Sequence, residues 1–330
     1  MKKIHVNSKC CDAKIHKFGS KRKQCSVCKK TWRNRPKKRG RKKIRVTTNI
    51  VHDVLLRGET LSQRSKRGTL TERQCQLRYH RALDAISRKK WFPEIPEEKL
   101  ILIVDGLWTM SDGKRHVVYL MAIRPISHPQ AFLLPPVVLR GGENRKKWEI
   151  AFETMPPLLK QQIIALVCDG ISGLPNIAKK HSWIVQRCNF HFIKVMERFR
   201  GKSNRHVQNK ELREDIYQTI RHAMEVPYGE KYDEVLSRLA SLMSDPLCPK
   251  WVRLHSNEFM KRKEDFRAYL RYPEYNLPST TSSMENLCGS VRDMLRRSRG
   301  LKNEKSLSKW VNEFIKLKKK ITCNGKNQPK

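Results

Sequence analysis

The sequence predicts an α/β protein in which a mixed β-sheet is followed by a large helical segment. Two apolar runs, at residues 100–104 and 163–167, are short and uniformly apolar, which is typical of strands buried on both faces. From about residue 192 to residue 275, apolar side chains recur at helical spacing, which predicts several helices. The chain has 330 residues, enough for about two or three domains and at least one substantial core.

The chain is basic along its whole length. It has 71 lysines and arginines against 31 acidic residues, a formal net charge of +40 and a pI near 10.2. This balance predicts affinity for nucleic-acid phosphates, with anionic membranes as the alternative. No apolar run approaches the roughly 20 residues of a spanning helix, and the N-terminus lacks the apolar region of a signal peptide. We therefore expect a soluble, cytoplasmic protein whose cysteines are reduced or bind metal.

Residues 1–35 predict a zinc-ribbon-like segment. The spacing Cys25-x-x-Cys28 is typical of one zinc knuckle, and a first pair is expected about fifteen residues earlier. The cysteines in that place are adjacent, so His5 or His16 is an alternative to the second of them as a ligand. A basic arm with unused thiols is the other interpretation. The predicted structural Zn²⁺ site consists of Cys10, Cys11, Cys25 and Cys28.

Residues 36–46 form a basic linker, and residues 47–90 predict a helix-turn-helix domain. The linker cannot pack and is expected to contact DNA through Lys37, Lys38, Arg39, Arg41, Lys42 and Lys43. Three short amphipathic helices follow, the second interrupted at Gly68 and the third basic at its start, an order that resembles a helix-turn-helix. Such helices also occur in domains of other function. The side chains expected to reach bases or phosphates are Arg73, Gln74 and Arg78.

The stretch at 91–98 is rich in proline and acidic residues and predicts a domain boundary before the core. In residues 99–191 the pattern predicts strands at 100–105, 116–123, 131–139, 163–168 and 183–186, with helices near 148–152 and 176–180. Three strands, a helix, and then alternating strands and helices match the order of a ribonuclease-H-like fold.

Two aspartates follow the most apolar strands, and each precedes a glycine. An isolated Asp-Gly is commonly a turn, but Asp105 and Asp169 on one sheet of a basic protein indicate a divalent-metal site acting on nucleic acid. Asp112, close in sequence, lies at a predicted turn. The third carboxylate is expected from Glu285, at the start of a helix with Thr and Ser caps, although a glutamate there is also an ordinary dipole partner. The same helix has an apolar stripe (Leu287, Val291, Met294) and basic residues suited to DNA (Arg292, Arg296).

Together with the basic run at residues 296–301, these features resemble the Mutator-type transposases of bacterial insertion sequences, and more narrowly the variant with an N-terminal zinc-binding segment. The resemblance spans about residues 99–315, and 116 positions separate the second aspartate from the glutamate, as in that family. It implies a helical insertion at 192–275, a return to the catalytic core at 276–318 and a basic tail at 319–330. It also implies that Asp105, Asp169 and Glu285 form the catalytic triad.

The resemblance further makes Cys188 and His191 an accessory Cys-x-x-His motif. From the residues alone, this pair either binds metal or is a buried cysteine beside a hydrogen-bonded histidine. If Glu285 is not the third ligand, Glu258 or Glu264 takes its place.

The expected function is that of a transposase dependent on Mg²⁺ or Mn²⁺. It would bind the terminal inverted repeats of its element, cleave there and transfer the strands to target DNA. Double-stranded DNA is the expected partner, with at least a dimer assembled on it, and the expected location is a prokaryotic nucleoid, away from membranes. The alternatives are a catalytically inactive or domesticated DNA-binding protein and a nuclease of similar fold. A tyrosine recombinase is disfavoured, because no tyrosine follows Tyr275 and the third residue after His255 is Glu258.

Overall fold

The computed structural model describes residues 10–11, 13–19, 22–33, 49–170, 173–201, 208–297 and 303–323. They belong to two compact units, Met1–Thr47 and Thr48–Lys330. Several predicted residues lie outside the described residues, namely His5 and the linker residues Lys37, Lys38, Arg39, Arg41, Lys42 and Lys43. Within the described part of the chain, no helix combines the length and apolarity needed to cross a bilayer.

The first unit is a small antiparallel sheet of three strands, β1 (Ile15–Phe18), β2 (Arg22–Cys25) and β3 (Thr31–Arg33). Among its described side chains, Cys25 alone is fully buried. Strands this short and this exposed bury too little apolar surface to be stable by themselves. We therefore expect a bound metal to supply the folding free energy of this unit.

The second unit begins with three helices, α1 (Asn49–Leu55), α2 (Leu61–Arg67) and α3 (Glu72–Ser87). Capping boxes built on Thr60 and Thr71 start α2 and α3, which satisfies backbone N–H groups at both helix starts. The apolar faces of α1 and α3 join the same core cluster as the sheet and the C-terminal helices. The ring of Tyr79, for example, lies 5.2 Å from that of Trp310. These three helices thus share a core with the sheet behind them.

The central sheet is mixed, as the sequence predicts. Its strands run in the order β10-β6-β5-β4-β8-β9, with β7 also paired to β5. The strands are β4 (Leu100–Ser111), β5 (Lys114–Pro125), β6 (Gln130–Leu133), β7 (Val137–Arg140), β8 (Ile163–Cys168), β9 (Ile184–Arg187) and β10 (Lys320–Thr322). Strand β4 is antiparallel to β5 and parallel to β8, and β8 is parallel to β9.

Two strand predictions were wrong in extent. The predicted strand at 100–105 continues to Ser111, because β4 pairs with β5 along its whole length and the two meet at a tight Asp112-Gly113 turn with positive φ at both residues. Asp105 therefore lies within a strand and not at its end. The predicted strand at 131–139 is divided into β6 and β7 by Pro135 and Pro136, which lack the N–H that a ladder requires.

Helices cover both faces of the sheet, so the prediction of strands buried on both faces is confirmed. Ile101 and Ile103 of β4 belong to the cluster that contains α1, α3, α12 (Ser282–Arg297) and α13 (Glu304–Lys318). Leu102 and Val104 belong to the opposite cluster, with α4 (Arg145–Glu153), α5 (Pro157–Gln162) and α6 (Leu174–Lys180). Because side chains alternate along a strand, Asp105 is on the α12 face and Gly106 on the α4 face.

The predicted helical segment is also confirmed. It comprises α7 (Asn189–Arg200), α8 (Lys210–Glu225), α9 (Glu230–Ser244), α10 (Lys250–Phe266) and the short α11 (Ala268–Arg271). These helices bury a cluster of their own that includes Phe192, Ile220 and Phe259. The segment leaves the sheet after β9 and returns the chain to α12, which packs on β4.

Candidate active site

The two predicted aspartates meet where β8 ends beside β4. Ile103 of β4 pairs with Val167 of β8 in parallel register, so Asp105 and Asp169 lie two residues further along neighbouring strands. Asp105 is only 8% exposed. Burial and, next, the negative charge of Asp169 raise the pKa of Asp105 to about 6. The pairing with β8 thus ends at a pair of interacting carboxyl groups.

Helix α12 brings Glu285 to the same end of the sheet. Glu285 is in the first turn of the helix, and the predicted apolar stripe of Leu287, Val291 and Met294 is buried. One turn after Glu285, the buried thiol of Cys288 donates a hydrogen bond to Asp105 Oδ2 at 3.4 Å. The helix therefore contacts Asp105 through Cys288.

The accessory motif connects Glu285 to the aspartates. His191, in the first turn of α7, lies with Nε2 2.9 Å from Glu285 Oε1. A hydrogen bond with Cys188 and the charges of Glu285 and Asp105 raise the pKa of His191 to about 9, against the opposing effect of burial. Cys188 is buried and accepts a 3.2 Å hydrogen bond from the backbone N–H of Thr281, just before α12. Both motif residues thus face the start of the glutamate helix.

The geometry around these groups differs from that of a closed metal cage. Among the described residues, only the N-terminal cysteines form a group of three or more metal-binding atoms all within 4.8 Å of one another. Asp105 interacts with Asp169, Asp105 and Glu285 both act on the pKa of His191, and Glu285 is held by His191. The donor set consists of carboxylate oxygens, the ligands that Mg²⁺ and Mn²⁺ prefer.

A further carboxylate, Glu143, was missed by the sequence reasoning. It lies between β7 and α4, and its two oxygens accept hydrogen bonds from Trp108 Nε1 at 3.2 Å and from Trp148 Nε1 at 2.8 Å. Burial raises the pKa of Glu143 to about 7, with contributions from Asp169 and, more weakly, from Asp105. Its only signal in the sequence is an acidic residue after Gly141-Gly142 in a stretch that is otherwise basic.

Side chains occupy the space beside both Asp-Gly glycines. A Cβ atom on Gly106 would lie 2.5 Å from Glu143 Oε1, and one on Gly170 would collide with the guanidinium of Arg187. Arg187 is buried, donates to the Gly170 carbonyl at 3.2 Å and pairs with Glu258 at 2.9 Å. The glycines are therefore needed for the close approach of an acidic side chain at one aspartate and a basic one at the other.

The two alternative third ligands have other partners in this structure. Glu258 pairs with Arg187 and Arg262, and Glu264 accepts a 2.8 Å hydrogen bond from the hydroxyl of Tyr228. Glu285, by contrast, contacts His191, whose charge lowers the pKa of Asp105. Glu285 therefore stays the predicted third ligand.

The predicted DNA contacts that can be described lie on the surface. Arg73 and Arg78 of α3 and Arg292 and Arg296 of α12 are exposed. Gln74 is also exposed, but its side-chain oxygen accepts the N–H of Thr71 at 3.1 Å in the helix cap. The arginines in and just before α2 differ, because Asp53 and Glu59 pair with Arg57, Arg64 and Arg67. Arg296 also has an acidic neighbour, Asp293, at 3.7 Å. Arg73, Arg78 and Arg292 are thus better placed for phosphates than the arginines around α2.

In the first unit, the four predicted cysteines converge. The sulfur atoms of Cys10, Cys11, Cys25 and Cys28 all lie within 4.8 Å of one another, close to the sulfur separation of about 3.8 Å expected in a tetrahedral Zn–S₄ site. His16 is not part of this group. A hydrogen bond with Cys28 and the neighbouring thiols raise the pKa of Cys11 to about 12, so a cation is needed to hold these groups as thiolates. The cluster could hold zinc, and its donors fit that metal.

The chain matches the model of a known protein family. The model of the family described as "Transposase, Mutator family" matches residues 136–319, more than half of the chain. The matched range contains Glu143, Asp169, His191 and Glu285, whereas Asp105 precedes it. No curated protein matches the chain at a significant level.

Proposed function

The chain belongs to the Mutator family of transposases, and we propose that it is an active enzyme that cleaves the ends of its own mobile element and joins them to target DNA. The observation that carries this proposal is the position of Asp105, Asp169 and Glu285 at one end of the sheet. The strand order supports a ribonuclease-H-like core: β4 is central, β5 antiparallel to it, and β8 and β9 parallel on its other side.

In this proposal, Asp105, Asp169 and Glu285 hold divalent cations. A buried carboxylate, Asp105, that interacts with the half-buried Asp169 is costly without a counter-charge, and oxygen donors suit Mg²⁺ or Mn²⁺. When bound, such ions activate an attacking oxygen and stabilise the leaving oxygen of a phosphodiester. His191 orients the Glu285 carboxylate through their 2.9 Å contact, and Arg187 fixes the turn after Asp169 through the Gly170 carbonyl.

The reaction consists of two in-line displacements at phosphorus. Water first attacks the phosphodiester at an end of the element, so that the P–O3′ bond breaks and the element keeps a 3′ hydroxyl. This hydroxyl then attacks a target phosphodiester, forming a new P–O3′ bond and releasing a target 3′ hydroxyl. Neither step requires a covalent intermediate with the enzyme, so the protein's contribution is positioning and charge stabilisation.

DNA binding is assigned to the basic surfaces. The net charge of +40 supports phosphate contacts along the chain, and the exposed Arg73 and Arg78 at the start of α3 support end recognition by this helix. The zinc-binding segment and the linker would add contacts. Joining two ends to one target requires at least two active sites on the DNA, so we propose a dimer or higher oligomer.

The test compares three isosteric variants, Asp105→Asn, Asp169→Asn and Glu285→Gln, with Asp112→Asn as the matched control. Asp112 is exposed and has φ of +53°, which asparagine tolerates. Cleavage and strand transfer are measured on duplexes carrying the element's ends with Mg²⁺. Each triad variant should lose both activities by at least about a hundredfold while still binding the DNA, and double variants should lose little more, because the residues act as a unit.

Near-normal cleavage by the Glu285→Gln variant would show that Glu285 is not the third catalytic carboxylate. Cleavage without transfer of a pre-cut end would favour the nuclease alternative. Loss of activity in the Asp112 control would show that the assay reports general damage to the fold.

A further inference from the structure

Glu143 is fixed beside Asp105 by three residues of two elements, β4 and α4. Trp108 of β4 and Trp148 of α4 donate to different oxygens of its carboxylate, at 3.2 and 2.8 Å. The absence of a side chain at Gly106 lets the same carboxylate lie against the backbone of β4 next to Asp105. Trp148 is buried in the core of the α4 face. The position of this carboxylate is therefore set by the core, although the residue itself is in a loop.

The charges around Glu143 are unfavourable for a carboxylate. Asp169 and Asp105 both act to raise its pKa, and the two indole donors are neutral. Neutral donors satisfy the oxygens but do not cancel the repulsion from two aspartates. A cation among the three acidic groups would offset this repulsion.

Glu143 and Glu285 approach this place from opposite faces of the sheet. Asp105 is on the face of α12, which carries Glu285, and Gly106 is on the face of α4, which Glu143 precedes. The pairing of β4 with β8 ends at Ile103 and Val167, whereas its pairing with β5 continues to Ser111. The part of β4 that extends beyond its pairing with β8 thus has Glu285 on one face of the sheet and Glu143 on the other.

We propose that Glu143 is a fourth metal-binding carboxylate of this site and shares a divalent cation with Asp105 and Asp169. The proposal rests on the metal-dependent function proposed above and extends its ligand set. A purely structural role is the competing explanation, because Glu143 also anchors the two indoles. Glutamine at this position has one acceptor atom instead of two, so the experiment must separate lost charge from a lost anchor.

The probe is Mn²⁺, measured as free ion by electron paramagnetic resonance, with the full-length, zinc-loaded protein in the absence of DNA. Glu143→Gln should raise the Kd for Mn²⁺ by at least about tenfold, as expected for a lost ligand. Glu153→Gln is the matched control, since Glu153 is an exposed glutamate of α4, and it should change the Kd less than about twofold. Trp108→Phe removes one anchor and keeps the charge, so it should change the Kd less than about threefold.

A second variant protects the test against misfolding of the first. Gly106→Ala leaves every charge in place but adds a Cβ atom 2.5 Å from the present position of Glu143 Oε1, which displaces the carboxylate. It should also weaken Mn²⁺ binding and raise the Mg²⁺ concentration needed for half-maximal cleavage.

The outcomes separate this inference from the proposed function. If Asp105→Asn loses Mn²⁺ binding but Glu143→Gln and Gly106→Ala stay within threefold of the wild type, Glu143 is not a ligand. Equal weakening by Trp108→Phe and Glu143→Gln means that the residue is an anchor only. If the wild type binds no Mn²⁺, or Asp105→Asn has no effect on its Kd, the metal site itself is wrong.

Discussion

Replacing Arg187 with alanine should destabilise the protein and reduce cleavage without abolishing DNA binding. The side chain is 7% exposed and has three kinds of partner: the Gly170 carbonyl at 3.2 Å, Glu258 at 2.9 Å and the Phe266 ring at 4.8 Å. A hydrogen bond from a charged donor contributes about 2 kcal/mol and a cation–π contact about 1 kcal/mol. Because Glu258 is 37% exposed, its ion pair contributes only about 1 kcal/mol. The expected loss is about 4 kcal/mol.

Thermal unfolding of the full-length protein measures this loss. Arg187→Ala should lower the Tm by roughly 10 °C, and Glu258→Gln, which removes the exposed ion pairs with Arg187 and Arg262, by roughly 3 °C. Cleavage should fall in the first variant, because the turn after Asp169 loses its anchor, while end binding is retained. Equal Tm shifts for the two variants would refute the view that the Gly170 and Phe266 contacts provide most of the stabilisation.

A double-mutant cycle tests the same contact from the other side. Gly170→Ala should displace the guanidinium of Arg187, since the added Cβ would collide with it. In the Arg187→Ala background, the same change should cost much less, because the colliding group is gone. Equal costs in both backgrounds would show that Gly170 is required for another reason.

Three further predictions concern zinc, DNA and pH. Cys25→Ser or Cys28→Ser should reduce the zinc content from about one ion per chain to near zero, whereas His16→Ala should leave it unchanged. An unchanged zinc content in the two cysteine variants would refute the predicted site. Arg73→Ala and Arg78→Ala should each reduce the magnitude of the slope of log K for DNA binding against log[salt] by about 0.9. Arg57→Ala should reduce it by less, because Arg57 is paired with Asp53. Single substitutions avoid the damage that a deletion would cause, since α3 packs on α13. Burial and neighbouring acids raise the pKa of Asp105 to about 6 and that of Glu143 to about 7. Because the two carboxyl groups have lower pKa values in the unfolded chain, the unfolded state loses their protons first. The metal-free protein should therefore lose stability as pH rises from about 4 to about 7. Mg²⁺ should therefore raise the Tm more at about pH 8 than at about pH 5, and an equal rise at both would contradict this linkage.

Much of the fold was readable because burial leaves a periodic pattern. The run at 163–168 is uniformly apolar and matches β8 to the residue, since strands buried on both faces require apolar side chains at every position. The end of β4 could not be read in this way. Residues 106–111 are mixed in character and extend the strand only because β5 pairs with them.

The candidate site was predictable in part. Asp105 and Asp169 follow apolar runs that are recognisable as strands, although β4 continues past Asp105, and Glu285 lies in the first turn of a helix with a clear apolar stripe. The contact of His191 with Glu285 joins residues that are far apart in sequence, and no local pattern indicates it. The adjacent Cys10 and Cys11 left the ligand set open in the sequence, and it is the fold that brings both sulfur atoms near those of Cys25 and Cys28.

The sequence by itself determined the chemistry available to this protein: a basic surface for phosphates, thiols at zinc spacing, and aspartates after two apolar runs. These properties depend on residue type and local periodicity, which a chain carries before it folds. Only the tertiary structure decided which groups meet, because strand register, helix packing and loop closure bring together residues that local patterns do not connect. Glu143 illustrates this: as a single acid after two glycines it has no pattern, and it lies beside Asp105 because Trp108, Trp148 and Gly106 place it there.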